Sequence, residues 1–77
     1  MEHKIKQKIF DIISQEISIN ISTLNPQVNF LKQASLDSMQ FVSITARIEE
    51  VFGIELPISV MEISTLDEYL ALIDQQL

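Results

Sequence analysis

Residues 36–57 read LDSMQFVSITARIEEVFGIELP, and the rhythm of this stretch decides the fold. Asp37 is a good helix N-cap, and Gln40, three residues on, completes a capping-box-like pair. The helix then runs through Met39, Val42, Ala46, Phe41, Ile44, Ile48, Val51 and Phe52, a set that covers more than one stripe. A helix apolar over most of its circumference is central to a core or faces a partner on one side. Gly53 is a natural stop, because glycine takes the left-handed position after a helix without strain. "IELP" then reads as a short extended link closed by Pro57.

The same periodicity governs both flanks. Upstream, Ile5, Ile9, Ile12, Ile13 and Ile17 repeat at intervals of three and four, with Lys4, Lys8, Asp11 and Gln15 mostly opposite, which predicts an amphipathic helix over 4–17. Isoleucine favours strands, but periodicity is the stronger signal here. Residues 18–36 break the rhythm: "NISTLNPQVNF" reads as a long loop, with a short helical turn expected near Asn25–Asn29. Val28, Phe30, Leu31 and Leu36 are available to pin that loop to the core. Downstream, "ISVMEI" suits one or two helical turns. Thr65 and Glu68 form a T-x-x-E box opening a final amphipathic helix that carries Leu66, Tyr69, Leu70, Leu72, Ile73 and Leu77. The expected fold is all-α: a small four-helix bundle of three main helices and one short one, with a long first loop, in a single domain over residues 1–77.

Composition narrows the function. A chain of 77 residues buries only about 60% of the surface its unfolded form exposes. It has no cysteine, so no disulfide framework supports it, and its single histidine, His3, makes structural zinc unexpected. Stability must come from an apolar core, which 47% hydrophobic residues permit. The net charge is −6 with only five Lys and Arg, three of them in the first eight residues. Nucleic-acid binding needs a basic stripe that this chain lacks; an acidic surface instead attracts basic partner patches. No apolar run approaches a membrane span, and the N-terminus is not a signal peptide. Cysteine-free composition fits the cytoplasm.

Little in the chain supports self-contained chemistry. Ser38 as a hydrolytic nucleophile would need a base and oxyanion donors. The only histidine lies at the N-terminus, and no G-x-S-x-G elbow exists. Glu49 and Glu50 are adjacent, so on a helix they point about 100° apart and read as a solvated face rather than a facing dyad. No calcium loop or glycine-rich phosphate loop is present; Gly53 is the only glycine. His3 reads as an exposed terminal residue and Tyr69 as a core or boundary aromatic. Met39 and Met61 suit core filling and adaptable binding surfaces equally. Ser38, at the positive end of a helix, fits either a plain cap role or a covalently attached phosphate.

The stretch resembles the phosphopantetheine attachment region of acyl and peptidyl carrier proteins. The family pattern is an Asp-Ser-Leu or Asp-Ser-Met triplet opening a helix, followed by an EE-x-F-x-I-x-[IL]-P run. Asp37, Ser38 and Met39 match the first part; Glu49, Glu50, Phe52, Ile54, Leu56 and Pro57 match the second. The triplet alone is weak; with the downstream run at this spacing it is specific, and the likeness spans nearly the whole chain.

The resemblance implies an acyl carrier protein, not an enzyme. It implies that Ser38 holds 4′-phosphopantetheine, installed from coenzyme A by a phosphopantetheinyl transferase that uses Asp37 in recognition. The arm's thiol would hold acyl or aminoacyl cargo as a thioester, which accounts for a chain with neither cysteine nor catalytic base. A cargo-loading ligase or acyltransferase and condensing or transferring enzymes are the further partners, in a fatty-acid, polyketide, nonribosomal-peptide or related pathway. The implied partner face comprises Met39, Val42, Ser43, Ala46, Arg47 and Glu50, with Leu56, Met61 and Glu62 from the short helix. A free-standing monomer is expected, with no metal site.

The departures are informative. Ser35 stands where many members have glycine, Lys32 and Gln33 replace frequent acids, and Gln40, Ser43 and Arg47 soften a usually acidic helix. These point to a dedicated pathway. The Asp-Ser-Met form also occurs in D-alanyl carrier proteins, so aminoacyl cargo stays open. The alternatives are a carrier-like interaction module that is never modified, and a small hydrolase using Ser38.

Overall fold

The computed structural model describes residues 1–17 and 23–77. Three long helices make the frame: α1 (His3–Ile17), α3 (Ser38–Phe52) and α4 (Leu66–Gln76). A one-turn helix α2 (Phe30–Gln33) lies between α1 and α3, and a 3-10 helix (Ile58–Glu62) lies between α3 and α4. The all-α bundle expected from the periodicity is present. Among the described residues the only β feature is an isolated bridge between Asn29 and Thr65.

The helices α1 and α4 bury most of the stripe that their spacing marks, and α3 buries one face of its wider apolar set. Ile9, Ile12 and Ile13 enter the core from α1, Phe41, Ile44 and Ile48 from α3, and Leu66, Tyr69, Leu70 and Ile73 from α4. Ile5, Ile17 and Leu72 pack at its margin. Leu77, at the end of the α4 pattern, is exposed. Gly53 ends α3 in the left-handed conformation, with φ of 64° and its N–H bonded to the Glu49 carbonyl.

The first loop is more structured than its composition suggests. Its opening, residues 18–22, lies outside the described residues. Near Asn25–Asn29, where a short helical turn is expected, there is a single hydrogen-bonded turn, with the Val28 N–H on the Asn25 carbonyl at 3.3 Å. The helix itself forms one step later at Phe30–Gln33, where the Asn29 side chain caps it by accepting from the Lys32 N–H at 2.9 Å. Gln33 and Asn25 exchange two hydrogen bonds, of 3.1 and 2.8 Å. The segment is then tied to the start of α4, where Phe30 N–H donates to the Ser64 carbonyl at 2.7 Å and Asp67 N–H to the Pro26 carbonyl at 3.1 Å. Of the four expected pins, Phe30 and Leu36 are buried and Leu31 is half-buried. Val28 is exposed and pins nothing.

α2 closes into the segment that opens α3. Ala34 is its C-cap, and Ser35 follows in the left-handed region with φ of 53°. Leu36 N–H then reaches back to the Leu31 carbonyl at 2.9 Å, a Schellman-type closure, and the Leu36 side chain enters the core. This turn sets where Asp37 and Ser38 emerge.

Candidate functional site

Ser38 is the first residue of α3, and Asp37 is its N-cap. The Asp37 Oδ1 accepts from the Gln40 N–H at 2.8 Å, and the Gln40 Oε1 accepts from the Asp37 N–H at 3.2 Å. The capping box read from the sequence is therefore complete. It leaves the Ser38 hydroxyl exposed, with no hydrogen-bond partner among the described residues. Ser38 and Met39 also contribute the first amides of the helix, which precede its hydrogen-bond ladder, at the positive end of the helix dipole. An accessible hydroxyl beside free amides fits a covalently held phosphate. It lacks what a nucleophile needs: no described histidine or carboxylate is bonded to it.

From Ser38 an apolar groove follows α3. Ser38, Met39 and Val42 form its start. It continues past Val42 and Ala46, with Leu56, Val60 and Met61 opposite and Thr45 at its floor. Met39 is 81% exposed, and Val42 and Met61 are also exposed, which resolves the methionines in favour of a surface role. Ile58, 90% exposed, belongs to the same surface and was not singled out from the sequence. Its signal is the i, i+3 spacing to Met61, since side chains three apart eclipse in a 3-10 helix.

The other expected partner residues divide. Ala46, Ser43, Arg47, Glu50 and Glu62 are exposed. Ser43 and Arg47 turn toward α1: the Ser43 hydroxyl donates to Glu16 at 3.5 Å and the Arg47 guanidinium to Gln15 at 3.4 Å. Leu56 is a correction. It precedes the short helix rather than lying in it, and it is buried at 8% exposure as part of the core. Glu49 is a second correction: it is half-buried rather than on a solvated face. Its carboxylate accepts from the Leu56 N–H at 2.8 Å, fixing the link that returns from α3.

Behind the groove lies a polar contact that sequence reasoning missed. The Thr45 and Tyr69 hydroxyls are 2.8 Å apart in the interior. The Tyr69 ring packs against Phe41 and Phe30, with centroids 5.1 and 6.1 Å away. Burial pushes the Tyr69 hydroxyl up to about 12; the Thr45 hydrogen bond pulls it down somewhat, and the Glu49 charge raises it. Among the described residues, no group of three or more His, Cys, Asp or Glu is arranged to hold a metal. No described helix is long and apolar enough to cross a membrane.

Comparison with known proteins agrees with this geometry. The family model described as "phosphopantetheine attachment site" matches residues 7–73, which include α3 and its cap. An acyl carrier protein of Guillardia theta is 33% identical over 76 residues, covering 97% of this chain and 94% of its own. One from a Picosynechococcus species is 30% identical over 77 residues, covering 99% and 95%. One from Lactobacillus johnsonii is 36% identical over 56 residues, covering 73% and 70%. The chain belongs to the acyl carrier, phosphopantetheine-binding family: it is a carrier rather than an enzyme, and its prosthetic group is covalently attached 4′-phosphopantetheine.

Proposed function

We propose that Ser38 is the attachment residue and that the chain presents acyl groups to the enzymes of a biosynthetic pathway. The observation that carries this is the division of labour at the start of α3. Asp37 supplies the cap, so the Ser38 hydroxyl is free and exposed beside unpaired amides. In the loading step the Ser38 oxygen bonds to the coenzyme A phosphorus nearer the pantetheine. The bond from that phosphorus to the bridging oxygen breaks, 3′,5′-ADP leaves, and the serine proton passes to a base on the transferase. The attached group supplies the thiol that this cysteine-free chain lacks.

The chain's own residues position and present. The helix-end amides favour the phosphodiester charge. Met39, Val42, Ala46 and Met61, with Ile58, offer an apolar centre to partner enzymes, and Glu50 and Glu62 an acidic rim. Asp37 is the contact for the phosphopantetheinyl transferase. Loading ligases or acyltransferases and condensing or transferring enzymes would share this face. A cytoplasmic setting is consistent with the cysteine-free composition.

Intact mass after co-expression with a phosphopantetheinyl transferase tests the reading. Wild type should gain the arm and Ser38→Ala should not. An unmodified wild type across several transferases sinks the assignment and favours an interaction module that is never loaded.

A further inference from the structure

We propose that Tyr69, held by Thr45, closes the inner end of the groove that begins at Ser38, and that it restricts the cargo to short acyl groups. This rests on the attachment of the arm at Ser38. The hollow at Ser38, Met39 and Val42 shares Val42 with the groove that runs on along α3, and Thr45, 7% exposed, lies at the floor of that groove. Immediately behind Thr45 stands Tyr69, fully buried, with the two hydroxyls 2.8 Å apart.

The space beyond is filled. Tyr69 packs against both Phe30 and Phe41, and all three are at most 2% exposed. No buried side-chain polar atom among the described residues lacks a partner, so the hydroxyl pair is satisfied as it stands. An alkyl chain entering the bundle would have to displace the tyrosine, part the rings and leave the Thr45 hydroxyl unpaired against hydrocarbon. Staying in the open groove, it would run on toward the Glu49 and Glu55 carboxylates that line the far end. Neither course rewards length. A short acyl group fits in the open groove beside Val42, Ala46 and Met61 without disturbing the interior.

The test loads the full chain with the acetyl or octanoyl form of the arm, by a transferase supplied with acetyl- or octanoyl-coenzyme A. Melting temperature is then compared between the two cargoes. In wild type the two forms should agree within about 1 °C. In Tyr69→Leu, where the ring is gone, the octanoyl form should melt higher than the acetyl form by about 4 °C or more, as methylenes fill the vacated space. Tyr69→Phe keeps the ring and should show no cargo-dependent difference, although both of its forms melt lower than wild type. A loss of stability that is merely structural would lower both forms alike.

If Tyr69→Leu does not fold, the decision falls to NMR of loaded wild type. Unchanged Thr45 and Tyr69 signals between acetyl and octanoyl forms support the plug, and shifted, octanoyl-protected signals overturn it. An octanoyl gain of several degrees in wild type, or none in a folded Tyr69→Leu, also overturns it while leaving the attachment intact. Absence of any mass addition defeats the attachment at Ser38 itself, and this inference with it.

Discussion

The hydroxyls of Thr45 on α3 and Tyr69 on α4 meet at 2.8 Å in the interior, joining two helices across 24 residues of sequence. Among the described residues Thr45 is the one buried polar residue beside the tyrosine, and Tyr69 is fully enclosed. Thr45→Val keeps the shape but strands the Tyr69 hydroxyl, so it should cost about 1–3 kcal/mol. Thr45→Val combined with Tyr69→Phe removes both partners. The double variant should therefore lose less than the sum of the singles, by about 1 kcal/mol, in a urea-denaturation cycle. Strict additivity would show that the hydroxyls do not interact.

The same tyrosine makes stability fall in alkali. Its hydroxyl titrates at about 12 in the fold against an ordinary 10.0. A raised pKa means that the neutral form is favoured in the folded state. The contribution is complete below pH 10.0 and is lost as pH rises through about 12. Over that window wild type should lose about 3 kcal/mol relative to Tyr69→Phe, which has no phenol to ionise. Tyr69 is the only tyrosine and there is no tryptophan, so phenolate absorbance follows it directly. A folded-state midpoint near the ordinary value contradicts this.

Ser35 sits where the backbone asks for glycine. Its φ of 53° at the end of α2 costs an L-residue roughly 1–2 kcal/mol, against about 0.5–1 kcal/mol of entropy for glycine. Ser35→Gly should therefore stabilise by about 0.5–1 kcal/mol, seen as a higher urea midpoint at unchanged slope. Ser35→Val should fall below wild type, since a β-branched residue tolerates that conformation least. A destabilised glycine variant would mean that the Ser35 side chain has a role of its own.

These sites differ in how far the sequence disclosed them. The Asp37–Gln40 box and the Thr65 cap were legible because each depends on residues three apart. The helix stripes were legible because Ile9, Ile44 and Ile73 obey a local period. Phe30 could be named as a pin, but the helix it begins depends on Asn29 and on pairing with Ser64, some 34 residues away. Leu56 and Val42 look alike as apolar members of one expected surface. Only tertiary packing makes the first core and the second exposed. Glu49 reads as solvated because its partner, the Leu56 amide, comes within reach only after the chain turns at Gly53. The Thr45–Tyr69 pair has no local signature at all.

Asp37 offers the sharpest separation of structure from recognition. Its Oδ1 is engaged by the Gln40 amide, whereas its Oδ2 has no partner among the described residues and the side chain is exposed. Asp37→Ala removes the cap and should cost about 1 kcal/mol. Asp37→Asn keeps an oxygen for Gln40 and should retain most of that stability, losing only the charge at the helix end, about 0.3–1 kcal/mol. If the carboxylate served only to cap, the asparagine variant would load like wild type. We expect it instead to fold normally and to accept the arm about tenfold more slowly or worse, because the free oxygen and the negative charge are what a transferase and its metal would engage. Initial rates of mass addition, measured beside thermal melts of the same samples, decide the matter. Loading of Asp37→Asn at the wild-type rate would reduce Asp37 to a helix cap and leave recognition to other residues of the site.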